Sequence, residues 1–244
     1  MPATPAWPPQ STPRLFVDQI LAEGPIRIDG PAAHYLVSVM RTKVGDPVKL
    51  FDDRTGEWLG VAASVGKRDL ILDVTQRLRE REAVPDLWLC AAPLKKGRVD
   101  WLAEKACELG VARLVPVVTR RTVVDKPNTE RLRAHMIEAA EQCGRTALPE
   151  VAEPVKLAAL LRDWPDGRAL YFADEQGGAP ARAAMKPGAA AILIGPEGGF
   201  DDEERAAIRA TPGAVPISLG PRILRADTAA AAAVAVWMAA AGDW

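Results

Sequence analysis

Cysteine is scarce in this chain: there are three in 244 residues, at positions 90, 107 and 143. They are odd in number and widely spaced, with only His34 and His135 to join them, and this fits neither a disulfide framework nor a zinc site. No metal is expected, and buried, reduced thiols point to a cytoplasmic protein. The opening MPATPAWPPQSTP lacks the apolar stretch of a signal peptide and is too rich in proline for one. A disordered leader over residues 1–13 is expected. No run reaches the roughly 20 apolar residues of a membrane span. The nearest, AAAAAVAVWMAAA, is 13 residues long and mostly alanine, and reads as a buried or interfacial helix. The G-x-G-x-x-G dinucleotide fingerprint and the G-x-x-x-x-G-K-[ST] phosphate loop are both absent. One-sided charge is lacking too, since the net charge is -1. That balance hides an asymmetry: residues 76–150 carry 14 Lys and Arg against 11 Asp and Glu, and residues 151–244 carry 9 against 12. The basic middle faces either a polyanion or solvent.

The chain is 48% apolar, enough for one large or two modest domains. Residues 14–75 hold short β-type runs, RLFV, PIRI, PVKLF, WLGVAASV and DLILDV, broken by turn residues, with one helix inserted over AAHYLVSVMRTKVGD. This predicts a small barrel-like β domain. The charged QRLREREAVPD at 76–86 reads as a linker. Over 87–244 strand and helix patterns alternate. The helix over RVDWLAEKACELG keeps a 3.6-residue period and stops at Gly110, and the one over TERLRAHMIEAAEQCG stops at Gly144. An α/β domain is therefore expected, with a mostly parallel sheet and helices on both faces.

Two loops in this second domain stand out. LIGPEGGF follows the strand pattern AAAIL, and about twenty residues later SLGPRILRADT follows VPI. Ligands of open α/β sheets lie beyond the carboxyl ends of the strands, where such loops meet. Glycine lets the backbone approach a ligand and proline stiffens the turn. The pattern by itself implies a compact ligand site made by two loops.

Those loops resemble the signature of the RsmE family, in which IGPEGGF is followed by an acidic helix start, here DDEE, and then by SLGPRILRADTA. The resemblance extends along the chain through HYLVSVMRTKVGD, LKKGRVDWLAEKACELGV, RRTVV and EAAEQCGR. Asp227 stands where the family more often has glutamate, and Met40 where leucine is usual. The family belongs to the SPOUT superfamily, and the resemblance implies methylation of N3 of uridine 1498 in 16S rRNA. The resemblance implies a C-terminal trefoil knot that holds S-adenosylmethionine, a PUA-like N-terminal RNA-binding barrel, a homodimer, and the 30S ribosomal subunit as partner, with no membrane involved. It places the cofactor near the loop from Phe172 to Glu175, with Phe172 a contact, against Ile194, Gly195, Pro196, Glu197, Gly198 and Gly199, and against Ser218, Leu219, Gly220, Pro221, Ile223, Leu224 and Thr228.

Methyl transfer to N3 of uracil requires alignment and the loss of a proton. Alignment contributes about 7–11 kcal/mol, and a base roughly 100- to 10,000-fold. The candidate carboxylates are Glu197 and Asp227, with Arg225 placed to stabilise charge on the uracil oxygens. Glu197 has the alternative task of holding its loop by accepting backbone N–H bonds, and Asp227 that of capping the last helix. Arg41, Lys96, Arg98, Lys105, Arg120, Arg121 and Arg145 are the basic residues of the matched motifs and are assigned to RNA, or else to solvated surface. Val234, Trp237 and Met238 on the alanine-rich helix suit packing against a second copy. Two other readings remain: the same fold acting on a different uridine or on a ribose, and a non-catalytic RNA-binding assembly factor.

Overall fold

The computed structural model describes residues 11–95, 97–124 and 126–244. The leader expected over 1–13 therefore lies almost wholly outside the described residues, as does Lys96. The chain divides into two compact units, one running to Ala83 and taking in Glu141–Ala147, the other made of Val84–Ala140 and Leu148–Trp244.

The first unit contains β1 (Arg14–Phe16), β2 (Gly24–Asp29), a short α1 (Gly30–His34) that passes into one π-helical stretch at Tyr35–Val39, β3 (Pro47–Phe51), β4 (Glu57–Val65) and β5 (Asp69–Arg79). Its sheet runs in the order β1-β3-β4-β5-β2, with only the β1/β3 pair parallel. Leu36, Val48, Leu50, Leu70 and Leu72 form its core, all buried. Strand β5 continues to Arg79, four residues into the stretch read as linker. The reason is electrostatic: Arg79 pairs with β4 opposite Glu57, and the buried Glu57 carboxylate takes Nε of Arg79 at 3.0 Å and Nε of Arg14 at 2.5 Å. Ion pairs stand here where alternating apolar residues would have signalled a strand. The segment Glu141–Ala147 is fastened to this unit by Phe16 N–H donating to Glu141 Oε1 (3.0 Å) and by Thr146 and Ala147 N–H donating to Glu82 Oε1 (2.6 and 3.0 Å).

The second unit is an all-parallel sheet. Its strands are β6 (Leu87–Ala91), β7 (Arg113–Val118), the short β8 (Glu150–Val151) and β9 (Val155–Lys156), β10 (Ala169–Ala173), β11 (Ala179–Pro180), β12 (Ala190–Ile194) and β13 (Ala214–Ser218). They run in the order β11-β13-β10-β12-β6-β7-β8, and β9 pairs with β7. Every residue of β12 is buried, as befits a central parallel strand covered on both faces. The helices are α2 (Arg98–Glu108), α3 (Thr129–Cys143, whose last residues belong with the first unit), α4 (Leu157–Arg162), α5 (Ala181–Ala184), α6 (Asp202–Ala210) and α7 (Ala226–Ala241). As the period predicted, α2 gives way at Gly110 and α3 at Gly144, both in the left-handed region (φ 89° and 83°). A capping box starts α6: Asp201 accepts from Glu204 N–H at 2.8 Å, and Glu204 accepts from Asp201 N–H.

Two features of this unit position the site. The chain leaves β12, crosses β10 through α6, and joins the far side of β10 as β13, so three neighbouring strands end at one edge. It then returns as α7, which packs on α2, α5 and β12; Val234, Trp237 and Met238, expected to pack against a second copy, are instead buried inside this chain, because these neighbours cover that face of the helix. Cys90 and Cys107 are buried, and burial pushes the Cys90 thiol up to about 12. Cys143 is exposed, against the expectation for all three thiols, because it ends α3 on its open side. No helix of the described residues is long and apolar enough to cross a membrane.

Candidate functional site

The carboxyl ends of β10, β12 and β13 open into a cavity of about 570 Å³, within the usual range for a small-molecule site. Three loops wall it: Ala173 to Gly177 after β10, Ile194 to Phe200 after β12, and Ser218 to Arg225 after β13. Of the candidate cofactor residues, Ile194, Gly195, Pro196, Glu197, Gly199, Ser218, Leu219, Gly220, Pro221, Ile223 and Leu224 line it. Three do not. Phe172 is wholly buried inside β10, one residue short of the cavity. Gly198 turns its carbonyl to Arg121, which donates from Nη1 at 2.5 Å. Thr228 sits exposed in the first turn of α7.

Each loop has an identifiable support. After β10 the Asp174 side chain is entirely buried; it accepts from Arg205 Nη1 and from Arg209 Nη2 (2.5 Å), both on α6. Gln176 N–H also donates to it, at 3.0 Å, which folds the loop back on itself. After β12, Gly199 N–H donates to Pro196 O at 2.9 Å with Gly199 at φ 67°, a conformation that a side chain would strain. There a Cβ would also lie 3.0 Å from Glu175 Oε1. After β13 the backbone is held loosely. Gly220 has φ 109°, and nothing lies within 4 Å of where its Cβ would be. Among the described residues, the main-chain N–H groups of Leu219, Arg222, Ile223 and Leu224 donate to no protein acceptor, and that of Gly220 makes one long bond to Ser218 Oγ (3.3 Å). A row of free main-chain donors on a cavity wall can hold the edge of a planar, hydrogen-bonding ligand.

The charged groups meet in one place. Arg98, the first residue of α2, donates from Nη1 to Glu197 Oε1 and brings Nε to 3.8 Å from Asp227 Oδ2. Asp227 is not the cap of α7: Arg225 occupies that position, and Asp227 lies in the first turn, accepting from Thr228 N–H at 2.9 Å. Glu197 accepts from a guanidinium, and among the described residues no backbone N–H donates to it. Arg225 lines the cavity and is exposed.

The basic candidates scatter. Arg98 belongs to the cavity wall. Arg120 pairs with Asp201 (3.1 Å) and Glu203 (2.5 Å), and the hydrogen bond to Glu203, followed by that to Asp201, raises its pKa. Arg121 holds the Gly198 carbonyl, and Lys105 is bonded to Glu108 at 2.6 Å. Arg145, in the first unit, is only 5% exposed, so its side chain is packed inside the protein and not presented to a phosphate. Arg41 is exposed at φ 57°, an uncommon conformation for a long side chain. Sequence reasoning placed Asp174 in a cofactor loop but missed its partnership with Arg205, because that partnership spans 31 residues and three elements. Among the described residues there is no group of three or more His, Cys, Asp or Glu side chains able to hold a metal ion.

Comparison with known proteins shows the family. A family model described as an RNA methyltransferase domain matches residues 80–238, and one described as an RNA methyltransferase PUA domain matches residues 28–75. The Bacillus subtilis ribosomal RNA small subunit methyltransferase E is 31% identical, covering 88% of this chain and 92% of the relative. Its Rickettsia conorii namesake is 29% identical over 91% and 93%. A Legionella pneumophila protein described as a methyltransferase, solved with the cofactor SAM bound, superposes with a TM-score of 0.88 at 30% identity, covering 96% of this chain and 99% of that one. With the first model spanning more than half of its residues, this chain belongs to the RNA methyltransferase family.

Proposed function

We propose that this chain methylates N3 of a uridine of the 1498 type in the 16S rRNA of the small ribosomal subunit, with S-adenosylmethionine as donor, in the cytoplasm. The observation that carries the reading is the cavity at the ends of β10, β12 and β13, walled by glycine-rich main chain and flanked by Arg98, Glu197, Arg225 and the nearby Asp227. The site fits the cofactor: its volume suits a nucleoside with a short side chain, and the loop after β13 offers unpaired N–H groups and an open space at Gly220. Leu219, Gly220, Ile223 and Leu224 would hold the adenine by main-chain groups. Bound there, the cofactor supplies a methyl group on a good leaving sulfur.

The rest falls to the protein. Asp227 takes the N3 proton as the N–CH3 bond forms, and Arg225 stabilises charge growing on the uracil oxygens. Arg98 keeps both carboxylates in place, so that the loop after β12 and the start of α7 act as one wall. The sheet over 14–79 serves as a PUA-like RNA-binding barrel, joined through 80–86 to a SPOUT methyltransferase domain over 87–244. The passage of the chain across β10 and back as α7 supports a knotted C-terminus. The chain works as a homodimer, with α7 part of the shared surface. Mass spectrometry of rRNA nucleosides tests the activity: 3-methyluridine should be missing from 16S rRNA of a strain lacking the gene and return on complementation. Its presence in the deletion strain would refute the assignment.

A further inference from the structure

Most of the basic residues that the motifs single out are committed to internal partners, in pairs with Glu197, Glu108, Asp201 and Glu203, in the bond to the Gly198 carbonyl, or by burial at Arg145. Beside the cavity the exceptions are on the loop after β13. Among the described residues no carboxylate pairs with Arg222 or Arg225, and both side chains are exposed. Between them Ile223 is 88% exposed, a large apolar side chain in open solvent next to two free guanidinium groups. Such a combination suits single-stranded RNA, where cations take the phosphates and apolar side chains lie against unstacked bases. The loop that carries them also supplies the cavity wall with its free main-chain donors.

We infer that the loop Leu219–Arg225 binds on two sides at once, cofactor by its main chain and RNA backbone by Arg222 with Ile223 against a base, so that cofactor and RNA each strengthen binding of the other. The inference rests on the proposed methyltransferase reading and adds to it a contact residue and a coupling. The cause is the loop's weak tethering. Apart from the 3.3 Å bond from Gly220 to Ser218 and the bond that its last carbonyl, at Arg225, accepts from Ala229 N–H (2.7 Å), it has almost no internal hydrogen bonds to fix it. Whichever ligand arrives first bears the cost of ordering the loop, and the second binds without it. Linkage then requires the enhancement to be equal in both directions.

The test uses the full chain, small subunits purified from a strain lacking the gene, and S-adenosylhomocysteine, which occupies the cofactor site without reacting. Subunits should bind at least about 5-fold more tightly when S-adenosylhomocysteine is saturating, the lower end of ordinary coupling. Arg222→Ala should remove most of the enhancement, read as the ratio of subunit affinities with and without S-adenosylhomocysteine, and flatten the dependence of log K on log salt by about 0.7–0.9, the value of one phosphate contact. Arg222→Lys should retain that slope, because a point charge suffices for counterion release. Equal subunit affinity with and without S-adenosylhomocysteine, or a wild-type slope in Arg222→Ala, would overturn the inference. Failure of the methyltransferase reading would look different, as no S-adenosylhomocysteine binding to the wild-type chain at all.

Discussion

The carboxylate of Asp227 lies 3.8 Å from Nε of Arg98, and the same guanidinium is hydrogen-bonded to Glu197, so one arginine at the start of α2 ties the loop after β12 to the first turn of α7. The two carboxylates differ in setting: the Asp227 side chain is 18% exposed and that of Glu197 47%. The more enclosed group is the better placed to meet a substrate from which water has been excluded.

This difference separates their expected phenotypes. Asp227 does not cap α7 and its contact with Arg98 is long (3.8 Å) beside the Arg98–Glu197 hydrogen bond, so Asp227→Asn should leave stability and S-adenosylmethionine affinity near wild type while cutting single-turnover methylation by at least about 100-fold, as removal of a general base does. Glu197→Gln loosens the Arg98 tie and should weaken cofactor binding without an equal loss in the chemical step. Calorimetry and single-turnover assays at saturating subunits read the two effects apart. A near wild-type rate in both Asp227→Asn and Arg225→Ala would show that alignment alone carries the reaction.

Among the basic residues, burial predicts opposite behaviour for Arg41 and Arg145. Arg41→Ala should reduce the salt slope of subunit binding by about one unit, the expectation for an exposed phosphate contact. Arg145→Ala should leave the slope alone and lower the stability of the first unit by on the order of 2 kcal/mol, through lost packing of a long buried side chain. Urea titration and salt-dependent binding of the same two variants give both numbers, and a slope change in Arg145→Ala would contradict its placement inside the fold.

Much of the architecture was legible because periodicity carries it. β12 is an unbroken apolar run, α2 and α3 keep a 3.6-residue stripe, and both stop at glycines. The place of the cavity followed from glycine-proline turns after two strands. The parts that were not legible depend on partners far apart in sequence. Arg79 continues a strand because Glu57 waits opposite it, and Glu141–Ala147 joins the first unit through Glu82 and Phe16. Arg98 reads as one more surface cation until Glu197, 99 residues on, is found beside it. Local pattern reports burial and chain direction; ion pairs between distant segments leave no period in the sequence.

Acid should weaken the first unit through Asp52. Burial pushes this carboxyl up, but N–H groups of Leu21 (2.8 Å), Thr55 (2.7 Å) and Arg54 (2.9 Å), with the Thr55 hydroxyl (2.8 Å), outweigh it and hold the pKa below its ordinary value. A carboxylate with a depressed folded pKa contributes stability that is complete above its unfolded pKa of about 3.9 and is lost as pH falls through the lower folded value. The stability gap between wild type and Asp52→Asn should thus be constant from neutral pH to about pH 5 and close below about pH 4. Urea midpoints measured across that range check it, and a gap that widened in acid would reverse the sign of the argument.

Gly220 offers the most direct test of the cavity. Its φ of 109° is open to glycine and strained for any other residue, and the space beside it is free of protein atoms. In Gly220→Val a branched side chain would enter that space, and the backbone would shift to relieve the strain. Both effects fall on the main-chain groups that face the cofactor. The turn is exposed and makes one long hydrogen bond, so the fold should survive with a loss of roughly 1–3 kcal/mol, the usual range for a residue held in a disfavoured backbone region. Cofactor affinity should fall by at least about 100-fold, because main-chain donors that miss a buried ligand edge lose hydrogen bonds of about 1–1.5 kcal/mol each. Calorimetry on the folded variant decides the matter: wild-type affinity for S-adenosylmethionine in Gly220→Val would mean that the loop after β13 is not the wall that holds it.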